Sequence, residues 1–206
     1  MQNNYIYMKF KYLFLIVFLG YNLTLYSQNF IEYGSPLIKH YKHTDYGGHP
    51  QVWSCVQDER GVMYFGHNTG ITEFDGTNWR FIQNSKGGPA RSMEIAGSGR
   101  IYIGSDNEFG YIEPGEQGEM QYVLLSNQLP DTLQNFGDVW SISIVSYGVY
   151  FFTDKYTFRY HENNISIKST NYNPFSGNNI NDELFAADPQ KGVEHRNVIM
   201  THIKMI

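Results

Sequence analysis

Between residues 52 and 83, short apolar runs alternate with polar, glycine-bearing ones. Val52–Gln57, Val62–Gly66, Ile71–Phe74 and Trp79–Gln83 are rich in Val, Ile, Phe, Tyr and Trp. Such side chains suit a pleated, half-buried surface, so the pattern predicts four short strands. The interruptions are Asp58-Glu-Arg-Gly61, His67-Asn-Thr-Gly70 and Asp75-Gly-Thr-Asn78. Glycine supplies the positive φ of tight turns, and Asp or Asn bonds its own backbone there. Asp58 and Asp75 are therefore expected to cap turns rather than to act as an acid–base pair.

The pattern returns. Ser54, Gly61, Tyr64 and Gly66 have counterparts at Ser92, Gly99, Tyr102 and Gly104, each 38 positions on. A third copy runs through Trp140–Phe152, with Tyr150 in the place of Tyr102. A unit of about 40 residues with four strands is the signature of a β-propeller blade, which buries its faces only against neighbouring blades. Blades are thus predicted at 52–83, 90–125 and 139–168, with inner strands Val52–Gln57, Ala90–Ala96 and Val139–Val145. A short strand is expected over Pro36–Tyr41, and Ser126–Asp138 reads as a connecting loop.

Beyond Thr170 the repeat loosens. Asn171–Asn179 is turn-rich, and Leu184–Gly192 reads as the inner strand and first turn of a fourth blade. Residues 193–206 keep no repeat and are expected to be an irregular tail. The fold class is therefore all-β: a partial propeller of about three four-stranded antiparallel blades over 28–192. That is fewer than the four to eight blades that close a ring. The expectation is the N-terminal piece of a longer protein, or a truncated or frame-shifted product.

Residues 1–27 alter the compartment. Lys9 and Lys11 precede the apolar run Tyr12–Leu19, and Ser27 is a small residue before Gln28. This reads as a signal peptide cleaved near Ser27, with an uncleaved N-terminal membrane anchor as the alternative. Either way the body is expected outside the cytoplasm, in the periplasm. Those two lysines are the only charges before Gln28, so the remainder carries 13 basic against 20 acidic residues. An acidic body lacks the basic stripe that nucleic acid requires. Cys55 is the only cysteine, so no intramolecular disulfide forms, and it reads as a small buried hydrophobe.

The sequence carries few signatures of catalysis or metal binding. His40, His43 and His49 lie close in sequence but lack a zinc-ligand spacing, and neither a metal nor a cofactor is expected. No phosphate-binding loop, dinucleotide fingerprint or nucleophile elbow is present. Trp53, Trp79 and Trp140 have two readings: packing between blades, or stacking on a sugar. Recognition on a rigid scaffold is usually carried by loops. The candidate ligand residues are accordingly His49, Gln51, Trp53, His67 and Asn68, on and beside the loops Gly47–Gln51 and His67–Gly70.

Gly34–Tyr41, Tyr46–Trp53, Gln57–Gly66 and Gly70–Arg80 resemble the first blades of the two-component-regulator propeller repeats of Bacteroidetes sensor proteins. The resemblance weakens over Ala90–Ile112 and Trp140–Tyr160 and ends by Gly192. It implies an exported sensory propeller, followed in such proteins by a triple-tyrosine sandwich domain, a membrane helix and an output module. None of those later parts is in this sequence. The function expected is extracytoplasmic sensing of an oligosaccharide or other small ligand, without an output module and without catalysis. The alternatives are a fragment of a secreted propeller enzyme, a polysaccharide lyase or glycosidase, or a non-functional gene fragment.

Overall fold

A computed structural model describes residues 37–169, 176–188, 192–195 and 201–202. The expected signal peptide lies outside them. The chain divides into two compact units, Met1–His40 and Tyr41–Ile206. In the second, a single helical turn, α1 (His43–Tyr46), precedes strands. The first sheet is β1 (Val52–Gln57), β2 (Met63–His67), β3 (Gly70–Phe74) and β4 (Trp79–Ile82), in that order. The second is β5 (Ser92–Ile95), β6 (Ile101–Ser105), β7 (Glu108–Pro114) and β8 (Met120–Leu124). The third is β9 (Val139–Val145), β10 (Gly148–Thr153), β11 (Tyr156–His161) and β12 (Asn164–Ser169). All pairings are antiparallel. Each sheet is one blade, and β1, β5 and β9 approach one another as inner strands. This is a partial β-propeller.

Side-chain alternation explains the stacking. In the first blade Tyr64, Ile71 and Ile82 point to the second blade and meet Ala90, Met93, Ile101, Ile103 and Ile112. From the second blade Tyr102, Phe109 and Tyr111 meet Ile142, Phe151, Phe158 and Tyr160 of the third. Tyr64, Tyr102 and Tyr150, the repeated tyrosines, are all buried on the second strands. The 126–138 loop folds into two 3-10 turns and drives Phe136 under Phe109 and Phe158. Hydroxyls stitch the inner strands together: Ser92 Oγ donates to the Val139 carbonyl at 2.8 Å, and Ser141 Oγ to Gly177 at 3.3 Å. The β4–β5 loop is held by Ser85, whose N–H and hydroxyl both donate to the buried Glu108 carboxylate, at 3.0 and 2.7 Å.

Four expectations require correction. The inner strand of the fourth blade is β13 (Ser176–Ile180), not Leu184–Gly192. It lies against β9, and Leu184 falls in the next strand, β14 (Glu183–Asp188). Polarity hid β13: it needs a residue without a side chain at Gly177, because a Cβ there would come within 2.1 Å of the Phe152 ring. A two-residue loop with Asn181 and Asp182 both at positive φ joins β13 to β14, a type I′ hairpin. The tail is not wholly irregular either. β15 (Gly192–His195) pairs with β14, and β16 (Thr201–His202) pairs with β12. A sheet edge recruits backbone rather than side chains, so neither strand needed the repeat pattern. Leu37–Lys42 adopts no strand. Cys55 is exposed rather than buried. Its neighbours Ser54 and Val56 face the second blade, so the period of two turns Cys55 to the other face, opposite Phe65.

Candidate functional site

The repeat places Trp53, Arg91 and Trp140 in equivalent positions, each just before the serine that pairs with the end of the second strand. Because the inner strands run side by side, the three side chains meet. The Arg91 guanidinium lies 4.1 Å from the centroid of the Trp53 ring and 5.5 Å from that of Trp140. A cation held over indole faces gains about 0.5–2 kcal/mol, more as it is desolvated. Arg91 Nε also donates to Asp138 Oδ1 at 3.1 Å, and its side chain is 19% exposed. The indoles keep 38% and 42% of their surface open.

Each indole is fixed by the turn after the second strand of its own blade. Trp53 Nε1 donates to Asn68 Oδ1 at 2.6 Å, and Trp140 Nε1 to Asp154 Oδ1 at 2.8 Å. Asp154 Oδ2 accepts the Asp138 N–H at 3.0 Å, which joins the two carboxylates to one frame. On the other flank Asn68 Nδ2 donates to Gln51 Oε1 at 3.0 Å, and the Gln51 N–H to His49 Nδ1 at 3.1 Å. The result is a continuous face: His49, Gln51, Asn68 and Trp53, then Arg91, then Asp138, Asp154 and Trp140. It offers apolar ring surface beside amides, carboxylates and one guanidinium.

Of the residues expected from sequence, His49, Gln51, Trp53 and Asn68 join this face. His67 does not reach it: the imidazole is fully buried and holds Thr72 Oγ1 at 2.8 Å. Burial, first, and the neighbouring His49 hold His67 below its ordinary value of 6.5. Trp79 is elsewhere, on the outer strand, stacked on Phe74 at 4.2 Å and edge-on to Tyr41 at 5.1 Å. Arg91, Asp138 and Asp154 were missed. Aligning Arg91-Ser92 with Trp53-Ser54 and Trp140-Ser141 carries the signal for Arg91. Asp154 is the counterpart of Asn68, 14 residues after its tryptophan rather than 15.

The other end of the strands is chemically quieter. Asp58, Arg60, Tyr64, Arg100 and Glu113, with Gly97–Gly99, line a cavity of about 460 Å³ between the first two blades. Its charges are spent on each other: Arg60 pairs with Asp58 at 2.7 Å and Arg100 with Glu113 at 2.9 Å. Asp58 Oδ1 also caps its turn, accepting the N–H groups of Arg60 and Val62. Against the cost of burial, the Arg60 guanidinium and these donors hold the Asp58 carboxyl below its ordinary range. Burial, with Glu73 and Asp58 nearby, pushes the Tyr64 hydroxyl up to about 12, so it stays protonated. Asp75 likewise caps a turn, through the N–H groups of Thr77 and Asn78.

No protein-family model and no curated protein matches this chain. Solved structures do. Virginiamycin B lyase from Staphylococcus aureus is similar with a TM-score of 0.54 and 16% identity, over 74% of this chain and 55% of the lyase chain. The Pan2 WD40 domain of Neurospora crassa follows at 0.53 and 13%, over 79% of this chain and 51% of that one. The extracellular domain of BT4673 from B. thetaiotaomicron, described both as a hybrid two component and as a one component system, gives 0.50 and 15%. That match covers 70% of this chain and 21% of the other. The chain thus spans about a fifth of the BT4673 domain and about half of the lyase. At such identities the likeness is one of fold, a β-propeller. No helix among the described residues is long and apolar enough to cross a membrane.

Proposed function

We propose that this chain is a ligand-sensing propeller segment of an exported, two-component-type regulator, and that its ligand is an oligosaccharide. The observation that carries the reading is the pair of half-open indoles, Trp53 and Trp140, on either side of Arg91. Sugars offer apolar C–H faces that stack on rings and hydroxyl edges that need donors and acceptors. Gln51, Asn68, Asp138 and Asp154 supply that polar rim. Binding that favours one arrangement of neighbouring domains would shift their populations and so transmit the signal. The extracellular setting of BT4673 and the resemblance to sensor propellers support the compartment and the role.

Screening the full chain against an oligosaccharide panel, with tryptophan fluorescence and calorimetry on the hits, tests the reading. Trp140→Ala is expected to weaken a hit about tenfold or more, the scale of losing an aromatic anchor. Trp79→Phe, which keeps an aromatic ring against Phe74 and Tyr46 away from the face, should leave affinity unchanged. A panel without hits, or a hit indifferent to Trp140, overturns the oligosaccharide reading. Export carries its own test: expressed in a Bacteroidetes host, the protein recovered outside the cytoplasm should begin at or near Gln28. A cytoplasmic product that keeps Met1 refutes it.

A further inference from the structure

The loop that brings His49 and Gln51 to the candidate face is anchored on a buried imidazole. His67 is the last residue of β2 and is wholly enclosed. Its Nδ1 receives the backbone N–H of His49 at 3.4 Å and of Thr69 at 3.3 Å, with the Thr69 hydroxyl 3.1 Å away. Backbone amides only donate, so Nδ1 is the bare nitrogen of a neutral ring. The ring proton therefore sits on Nε2, which donates to Thr72 Oγ1 at 2.8 Å. The loop also closes over the ring: a Cβ at Gly48 would come within 2.6 Å of Nε2.

An imidazolium has two donors and no acceptor. Protonated at Nδ1, His67 would oppose two N–H groups inside the fold. Among the described residues that face the ring, no carboxylate offsets this. Around the ring stand Tyr46 of α1, Phe81 of β4, Thr72 of β3, Thr69 of the turn and the His49 imidazole. Among these described neighbours there is no carboxylate, and Tyr46 and His49 are the titratable groups. Burial, chiefly, and then His49 depress the His67 proton affinity, in agreement with the geometry.

We propose that His67 is the positioning residue of the candidate face: its bare Nδ1 holds the 47–51 loop in the binding arrangement, and acidification releases that loop. Release would propagate, because His49 takes the Gln51 N–H, Gln51 takes Asn68, and Asn68 takes the Trp53 indole. The consequence for binding rests on the ligand reading above; the anchoring does not.

The test uses the full chain without ligand. Ring nitrogen shifts of His67 are followed by NMR from about pH 7.5 to about pH 4.5, together with amide exchange of His49 corrected for its intrinsic pH dependence. At the upper pH the ring should be the Nε2–H tautomer. As pH falls through the His67 titration, below 6.5, His49 exchange should rise about tenfold, the size of one lost neutral hydrogen bond. His67→Asn, whose Oδ1 can accept in place of Nδ1, should keep His49 protected at every pH. His67→Leu should leave it unprotected throughout.

An Nδ1–H tautomer, exchange that stays flat across the titration, or an Asn variant as unprotected as Leu would each overturn the proposal. If the Leu variant fails to fold, the wild type and the Asn variant decide alone. None of these readouts involves a sugar, so a failed oligosaccharide screen leaves them unmoved. Should a sugar bind, its loss on acidification in the wild type and not in the Asn variant would join the two results.

Discussion

Cutting Phe151 to alanine is expected to remove about 3–5 kcal/mol of stability. The ring is fully buried at the junction of the second and third blades. It stacks on Phe109 at 4.4 Å and lies 6.1 Å from Tyr102. Phe109 in turn meets Phe158 at 5.1 Å and Phe136 at 5.6 Å. These rings arrive from β6, β7, β10, β11 and the 126–138 loop, so no single segment can relax into the void. A cavity that cannot collapse forfeits both transfer and dispersion terms. Against a net stability of about 5–15 kcal/mol for an ordinary domain, the loss is large. Denaturant unfolding of the full chain measures it, with Phe81→Ala as the control. Phe81 is 43% exposed, and its removal should cost less than about 1.5 kcal/mol. Equal losses from the two variants would mean that the aromatic junction is not the core of the molecule.

The first three blades were legible because each strand declares itself locally. Val52–Gln57 and Val139–Val145 match observed strands from end to end, since turn residues bound apolar alternation on both sides. The fourth blade was not. Ser176–Ile180 has the composition of a loop, and only its place beside β9 makes it a strand. The face was partly legible, through the loops around His49 and Asn68. What sequence could not show is that Arg91 lies between two indoles, because a cation–π contact between blades has no local signature. His67 shows the opposite failure. A polar residue at a rim turn reads as a ligand contact, yet its ring lies on the Phe65 face of the strand, where Tyr46 and Phe81 cover it and it organises the rim instead of forming it. The repeated glycines also divide. Gly61 sits at φ +83 with no atom nearer than 3.8 Å to a built Cβ, a turn glycine as expected. Gly66 has no positive φ; its Cβ would fall 2.6 Å from the Ala90 carbonyl oxygen, so its smallness serves blade packing.

Gly104, the counterpart of Gly66 in the second blade, supports the sharpest prediction about that packing. A Cβ there would lie 2.4 Å from Val139 Cγ1, 2.6 Å from Val139 Cβ and 2.5 Å from Ser92 Oγ. The serine hydroxyl is committed to the Val139 carbonyl, and Val139 is fully buried, so neither gives way freely. Gly104→Ala is therefore expected to push the second and third blades apart at a cost of about 1–3 kcal/mol, the range for overpacking a close-packed interior. Val139→Ala alone should also destabilise, by leaving a small void. Together the two changes should offset each other in part, because Val139→Ala removes Cγ1 but keeps the Cβ that lies 2.6 Å away. The third blade already uses the reversed arrangement, with Phe152 in the place of Gly104 and Gly177 receiving it. Total volume at the junction, rather than either residue, is what the fold fixes. The double variant is expected to be more stable than the sum of the single losses by about 0.5–3 kcal/mol, the usual coupling between residues in contact. Thermal or denaturant unfolding of the four proteins completes the cycle. Additive losses would show that the room Gly104 leaves to the Val139 methyl branches is not what the junction requires.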